Sequence, residues 1–187
     1  TSYHEKKRDV LIERGVISSI KSKIEHPKGT VVQGKGAYLS TGWVDMGALV
    51  GDPGSEQREE VSTLAQAALA GGFTEVAVWP NTQPVIDNKS EVAYLQRQAM
   101  DSGIQLHPIG AISPHTNGKE LTEMMDMNRA GAIAFSDGKK SIQDGGVMLR
   151  ALQYAKAFDG LIINHPHAKS ISPEGQVHEG FVSTSLG

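Results

Sequence analysis

From Gly42 onward the chain alternates short apolar runs with longer stretches in which apolar residues recur at helical spacing. The runs are GWVDMGA (42–48), TEVAVWP (74–80), IQLHPIGAI (104–112), GAIAFS (131–136) and GLIINHP (160–166). Each has strand length and is bordered by Gly, Pro or polar residues, the pattern of a strand buried on both faces. Between them lie SEQREEVSTLAQAALAGG (55–72), NKSEVAYLQRQAMDSG (88–103), GKELTEMMDMNRAG (118–131) and GGVMLRALQYAKAFDG (145–160). These read as helices that close on glycine. In the last, Val147, Met148, Ala151, Leu152, Ala155 and Phe158 fall on one face and predict a core-facing stripe. Before Gly42 the rhythm is different. RDVLIERGVISSI (8–20) alternates around Val10, Ile12, Val16 and Ile20 with Gly15 as a hairpin turn, and GTVVQGKGAYLS (29–40) follows, so residues 1–39 read as short strands and turns.

The strands recur about every 30 residues, the length of one βαβ unit, and successive right-handed crossovers build a parallel sheet. The pattern predicts an α/β fold, either an open doubly wound sheet or about five βα units of a (β/α)8 TIM barrel, whose closure takes about 250 residues. Both architectures put chemistry at the carboxyl ends of the strands. The residues to weigh therefore follow Val44, Val78, Ile109, Phe135 and Ile163.

Composition narrows the partners. The formal charge is −3 and there is no Lys/Arg block, which gives no footprint for nucleic acid. No apolar run approaches the roughly 18 residues that span a bilayer. Zero cysteines remove disulfides, thiolate nucleophiles and Cys-based zinc sites together. The lack of cysteines favours a cytoplasmic setting over a secreted one. No G-x-G-x-x-G, Walker A or G-x-S-x-G pattern stands at a strand-to-helix turn, which argues against nucleotide cofactors and an elbow serine.

The strand ends carry Asp45, the turn Pro80-Asn81-Thr82-Gln83-Pro84, the loop Ser113 to Gly118, Ser136-Asp137-Gly138-Lys139-Lys140, and Asn164-His165-Pro166-His167. Asp45 is open between base, ligand and a carboxylate that orients backbone N–H groups. His165 with Asp137 from the neighbouring strand end is a chemically sensible metal pair. His165 and His167 are two apart, so on an extended segment only one faces the site, unless Pro166 kinks the chain. Lys139 and Lys140 could meet an anion, although a solvated loop pair is the better reading. His4, His26, His115 and His178 read as surface residues, and His107, followed by Pro108, as packed.

Taken together, Gly42-Trp43-Val44-Asp45 through Asp52-Pro53-Gly54, AALAGGFTEVAVWPNTQPVIDN (67–88), HPIGAIS (107–113), AGAIAFSDGKK (130–140) and INHPHAKSISPEGQVHEG (163–180) resemble the dihydroorotases, cyclic amidohydrolases of the amidohydrolase superfamily. The resemblance implies a TIM barrel preceded by part of a small β-sandwich domain, with 1–39 as the sandwich portion and 40–187 as a partial barrel. It also implies reversible hydrolysis of dihydroorotate to carbamoyl aspartate in pyrimidine biosynthesis, with one or two zinc ions activating a water. Carried over residue by residue, the metal-binding histidines of the first strand fall on Gly47 and Leu49, and the arginine that grips the substrate carboxylate falls on Gly51. The ligating aspartate after the fourth strand falls on Gly138 in an ungapped alignment, or is replaced by Asp137 if the loop is shifted. His165 matches the fifth-strand ligand, and Asn81 stands in the substrate loop. Gly and Leu offer no lone pair to a cation, so the family's metal site is degenerate here.

The resemblance also implies three further βα units beyond Gly187, expected on another polypeptide, in a cleaved fragment, in the parent of a truncated chain or in a homo-oligomer partner. Two functions follow from it. One is a dihydroorotase whose site is completed elsewhere, this chain not being competent alone. The other is a non-catalytic scaffold subunit, as in relatives without the metal ligands that partner aspartate carbamoyltransferase.

Overall fold

The computed structural model describes residues 2–25, 29–171, 173 and 180–186 of the chain, which divides into two compact units, Thr1–Ser40 and Thr41–Gly187. In the first unit β1 (Asp9–Glu13) pairs antiparallel with β2 (Val16–Lys21). The hairpin turns on Arg14 and Gly15, at φ 53° and 77°, the left-handed pair whose twist matches that of the strands. The segment 29–40, expected to hold further short strands, forms none. Its apolar residues Val31, Val32, Tyr38 and Leu39 are all exposed, so nothing buried fixes a register there.

In the second unit β3 (Trp43–Ala48), β4 (Phe73–Val78), β5 (Gln105–Gly110) and β6 (Ala134–Phe135) form one parallel sheet in the order β3-β4-β5-β6. Helices α1 (Val61–Ala70), α2 (Lys89–Gln98) and α3 (Met124–Arg129) connect the strands, α4 (Gly145–Lys156) follows β6, and α5 (Phe181–Leu186) comes last. One face of the sheet, through Val76, Val78 and Leu106, packs on the inward residues of α1 to α4, among them Leu64, Leu95, Met127 and Val147. Each fully buried Val, Leu, Met or Phe of this kind contributes roughly 1.5–3 kcal/mol. The opposite face holds a smaller cluster of Ala77, Ile109 and Ala134 with Trp79 and Ile163, to which no helix residue contributes. Helices on one face only are the arrangement of a barrel segment, since a doubly wound sheet is covered on both.

Several element limits differ from the sequence pattern for local reasons. The fifth strand is reduced to a single parallel bridge from Ile162 to Phe135, because two-residue β6 offers little edge to extend it. Helix α1 starts at Val61 rather than near Ser55. Residues 51–60 fold back on themselves, Ser55 N–H donating to Gly51 O (2.6 Å) and Gly51 N–H to Glu59 O (3.1 Å), and Glu60 then caps the helix in a reciprocal pair with Thr63. Helix α3 is shortened because Thr122 Oγ1 donates to Ala111 O at 2.7 Å and ties the chain to the end of β5. On α4, capped by Asp144 on the N–H groups of Gly146 and Val147, Leu152 is exposed instead of joining the apolar stripe. The stripe runs through Val147, Ala151 and Ala155, and Leu152 lies about 100° round the helix from Ala151. Among the described residues β3 has a strand neighbour on one side only, with Trp43, Val44 and Met46 exposed, and no helix is long and apolar enough to cross a membrane.

Candidate functional site

The carboxyl ends of β3 to β6 bring the strand-end residues into one region. On β3 Asp45 Oδ1 accepts from Gly47 N–H at 2.9 Å, which fits, among the roles open to it, a carboxylate that orients the backbone. Beside it, Trp79 at the end of β4 donates from Nε1 to Gly47 O at 2.7 Å. The indole occupies the space a side chain at 47 would need: a Cβ on Gly47 would stand 2.5 Å from Nε1 and 2.8 and 2.9 Å from two ring carbons. Leu49 is partly exposed. At Gly51 a Cβ would run into the carbonyl oxygens of Ser55 and Glu59, so the folded-back loop leaves no room for an arginine.

Asp137, after β6, is buried, and three donors meet it. Its Oδ1 accepts from the N–H groups of Ile112 (3.0 Å) and Ser113 (2.9 Å), and its Oδ2 accepts from Ser113 Oγ. Burial pushes its carboxyl above the ordinary carboxylate value, while the Ser113 and Ile112 hydrogen bonds and nearby Lys140 pull the other way. Ser113 Oγ also accepts from Gly118 N–H at 2.7 Å, so this hydroxyl joins the loop after β5 to the end of β6. Asn81 is held by the same strand end, its Nδ2 donating to Asp137 O (3.3 Å) and its Oδ1 accepting from Lys139 N–H (3.4 Å). Gly138 has φ 63°, and a Cβ there would overlap the Asn81 amide, so position 138 has no space for an aspartate either.

A cavity of about 500 Å³ opens beside this network, bordered by both Asp137 and His165. His167 borders it too, which is the case reserved for a chain kinked at Pro166 and not that of an extended segment. The segment is not a strand here: His167 N–H donates to His165 O at 2.8 Å, closing a tight turn around Pro166, and the two rings lie 6.1 Å apart. Gln143 braces that turn, accepting from Lys169 N–H and donating to His167 O, both at 2.8 Å. Lys139 and Lys140 are exposed at the rim. Of the remaining histidines, His4 and His115 are exposed, His107 pairs with Glu75 across β4 and β5 at 2.8 Å, and His26 and His178 lie outside the described residues. Sequence reasoning did not single out Trp79 or Ser113. Their signal was position alone, the last residue before Pro80 and the first polar residue after the β5 run.

A zinc centre of the kind the resemblance implies needs several nitrogen or oxygen donors converging on one point. Among the described residues no three His, Asp or Glu side chains do so. Positions 47, 49 and 138 carry no donor, and two of the three are closed by Trp79 and Asn81. The described residues do not fit that group.

The family model described as Dihydro-orotase-like matches residues 36–187. The chain belongs to this family. Dihydroorotase-family relatives named Dihydroorotase include that of Pelotomaculum thermopropionicum, 39% identical over 180 residues that make up 96% of this chain and 42% of the relative. That of Geobacter sulfurreducens is 40% identical over 181 residues, 96% of this chain and 43% of the relative. The chain thus spans about two fifths of the length of these curated relatives. Among solved structures, the L-hydantoinase (dihydropyrimidinase) of Arthrobacter aurescens superposes with a TM-score of 0.71 at 20% identity, over 88% of this chain and 38% of that one. This likeness shows the fold, a partial (β/α)8 barrel with a small antiparallel β unit.

Proposed function

We propose that this dihydroorotase-family chain keeps the barrel scaffold without the family's zinc-dependent ring-opening chemistry and acts as a non-catalytic subunit, with aspartate carbamoyltransferase as its partner in the cytoplasm. The observation that carries this reading is Trp79, whose indole fills the position of a first-strand ligand and hydrogen-bonds Gly47 O. A vacant ligand position can regain a side chain, whereas one filled by a packed ring resists it. Gly51 and Gly138 support the same reading, since the arginine clamp and an acidic ligand are excluded there by neighbouring backbone and by Asn81. Retention of a fold after loss of its chemistry is consistent with function residing in sites rather than folds.

A second reading has its own support. Asp137 and His165 border one cavity, with Asn81 tied to the same loop. In that reading the protein opens dihydroorotate, with the remaining barrel portion or a homo-oligomer partner supplying the missing groups. Metal analysis and a dihydroorotate ring-opening assay on the intact protein decide between the two. Stoichiometric zinc with turnover overturns the scaffold reading, whereas zinc-free, inactive protein that co-purifies with aspartate carbamoyltransferase supports it. Inactive protein that leaves the transcarbamoylase unbound removes that partner.

A further inference from the structure

We propose that the cavity beside Asp137 is an anion site that takes a phosphate-bearing small molecule. Four lysines border it, Lys119 and Lys139, Lys140 and Lys169, together with His165 and His167. The border thus holds four lysines against two aspartates, an excess of positive charge in a chain that is −3 overall. The two carboxylates that also border it are already engaged. Asp137 is buried under three donors, and Asp144 caps α4 through two backbone N–H groups. Among the described residues none of the four ammonium groups forms an ion pair. The walls come from separate segments held in place, the loop after β5 by Ser113 and the turn at 165–169 by Gln143. The four lysines thus come from three separate segments that border one cavity.

The kind of anion follows from the donors. No arginine borders the cavity, so the planar two-pronged fork that suits a single carboxylate is missing. Lysine ammonium groups act as point charges with rotatable donors, which suit the several oxygens of a tetrahedral phosphate. The volume of about 500 Å³ lies within the range of small-molecule sites. The inference rests on the reading that no zinc centre occupies this mouth.

The test is calorimetric titration of the 187-residue chain with inorganic pyrophosphate, orthophosphate and citrate at constant ionic strength, with zinc content measured on the same samples. Saturable binding is expected, tightest for pyrophosphate. The double variant Lys139→Glu/Lys140→Glu, both positions being exposed, is expected to keep its circular dichroism spectrum and weaken that binding at least about tenfold. Lys35→Glu, exposed in the other unit, is expected to bind like the parent chain. Zinc-free protein that binds no phosphate, binds citrate more tightly, or is unaffected by the double variant overturns the anion assignment alone. Stoichiometric zinc with no phosphate response overturns both the assignment and the scaffold reading.

Discussion

Returning a side chain to position 47 should destabilise the fold unless Trp79 is reduced at the same time. A Cβ at 47 would stand 2.5 to 2.9 Å from three indole atoms, where heavy atoms in good contact sit about 3.5–4.0 Å apart. The ring would have to retreat by about 1 Å. It packs with Ala77, Ile109, Ala134 and Ile163, so it cannot retreat without disturbing that cluster. Overpacking of this sort costs about 1–3 kcal/mol, and loss of the Nε1 hydrogen bond to Gly47 O adds about 0.5–1.5 kcal/mol. Gly47 is not at positive φ, so alanine is tolerated by the backbone, and its stiffer unfolded chain offsets about 0.4–1 kcal/mol. The net for Gly47→Ala is a loss of about 0.5–4 kcal/mol, against the 5–15 kcal/mol typical of a domain. In Gly47→Ala/Trp79→Leu the steric part disappears, so the double variant is more stable than the sum of the two single losses by about 1–3 kcal/mol. Urea unfolding followed by far-ultraviolet circular dichroism measures all four corners of the cycle. Single losses that add to within about 0.5 kcal/mol would refute the account of a filled position. By the same reasoning, Gly47→His alone gains no zinc affinity by calorimetry.

Three further expectations follow from the same region. Asp137→Asn keeps an acceptor for Ile112 and Ser113 N–H and is mild, whereas Asp137→Ala strands two buried donors and costs about 3 kcal/mol or more in denaturant unfolding. Because burial raises the Asp137 carboxyl, the folded state holds its proton more tightly than the unfolded chain, so its contribution is complete below the unfolded value near 3.8 and declines as pH rises through the folded one; Asp137→Asn removes that part of the stability–pH profile. Tyr94→Phe takes from buried Asp52 the hydroxyl that donates to it at 2.7 Å and should cost about 1–3 kcal/mol by the same unfolding assay. Met46→Lys, on exposed edge strand β3, should reduce self-association of this chain measured by light scattering, with stability changed by less than about 0.5 kcal/mol.

The strand and helix rhythm was legible because parallel strands covered on both faces read as apolar runs, and the second halves of β4 and β5, Val76–Val78 and Pro108–Gly110, are apolar and buried. Boundaries were less so, because they depend on contacts at a distance in sequence. Nothing in 55–60 says that the Gly51 N–H will reach back to Glu59 O and delay α1. The site was legible as a set of strand ends and, through the family motif, as a set of missing donors. What filled the gaps was not. Trp79 lies 32 residues from Gly47 and Ser113 lies 24 from Asp137, and each pair meets only once the parallel registers are fixed. For His165 and His167 the period-two argument holds only for an extended segment, and the chain takes the excepted course by turning at Pro166.

These contacts bear on how the mouth of the barrel came to tolerate its substitutions. Loss of a ligand usually leaves a hole or an orphaned polar group, and both are costly. Here the changed positions are answered locally by three different neighbours: an indole ring at Gly47, backbone carbonyls at Gly51 and an amide at Gly138. Asp137, the carboxylate that remains, is supplied with donors from the next loop. A divalent cation at this mouth would meet four ammonium groups that have no ion-pair partner among the described residues, and an anion would be attracted by the same groups. Sterics at the β3 and β6 ends and the excess of lysines over aspartates around the cavity therefore support the same proposal, an anionic ligand in place of a metal.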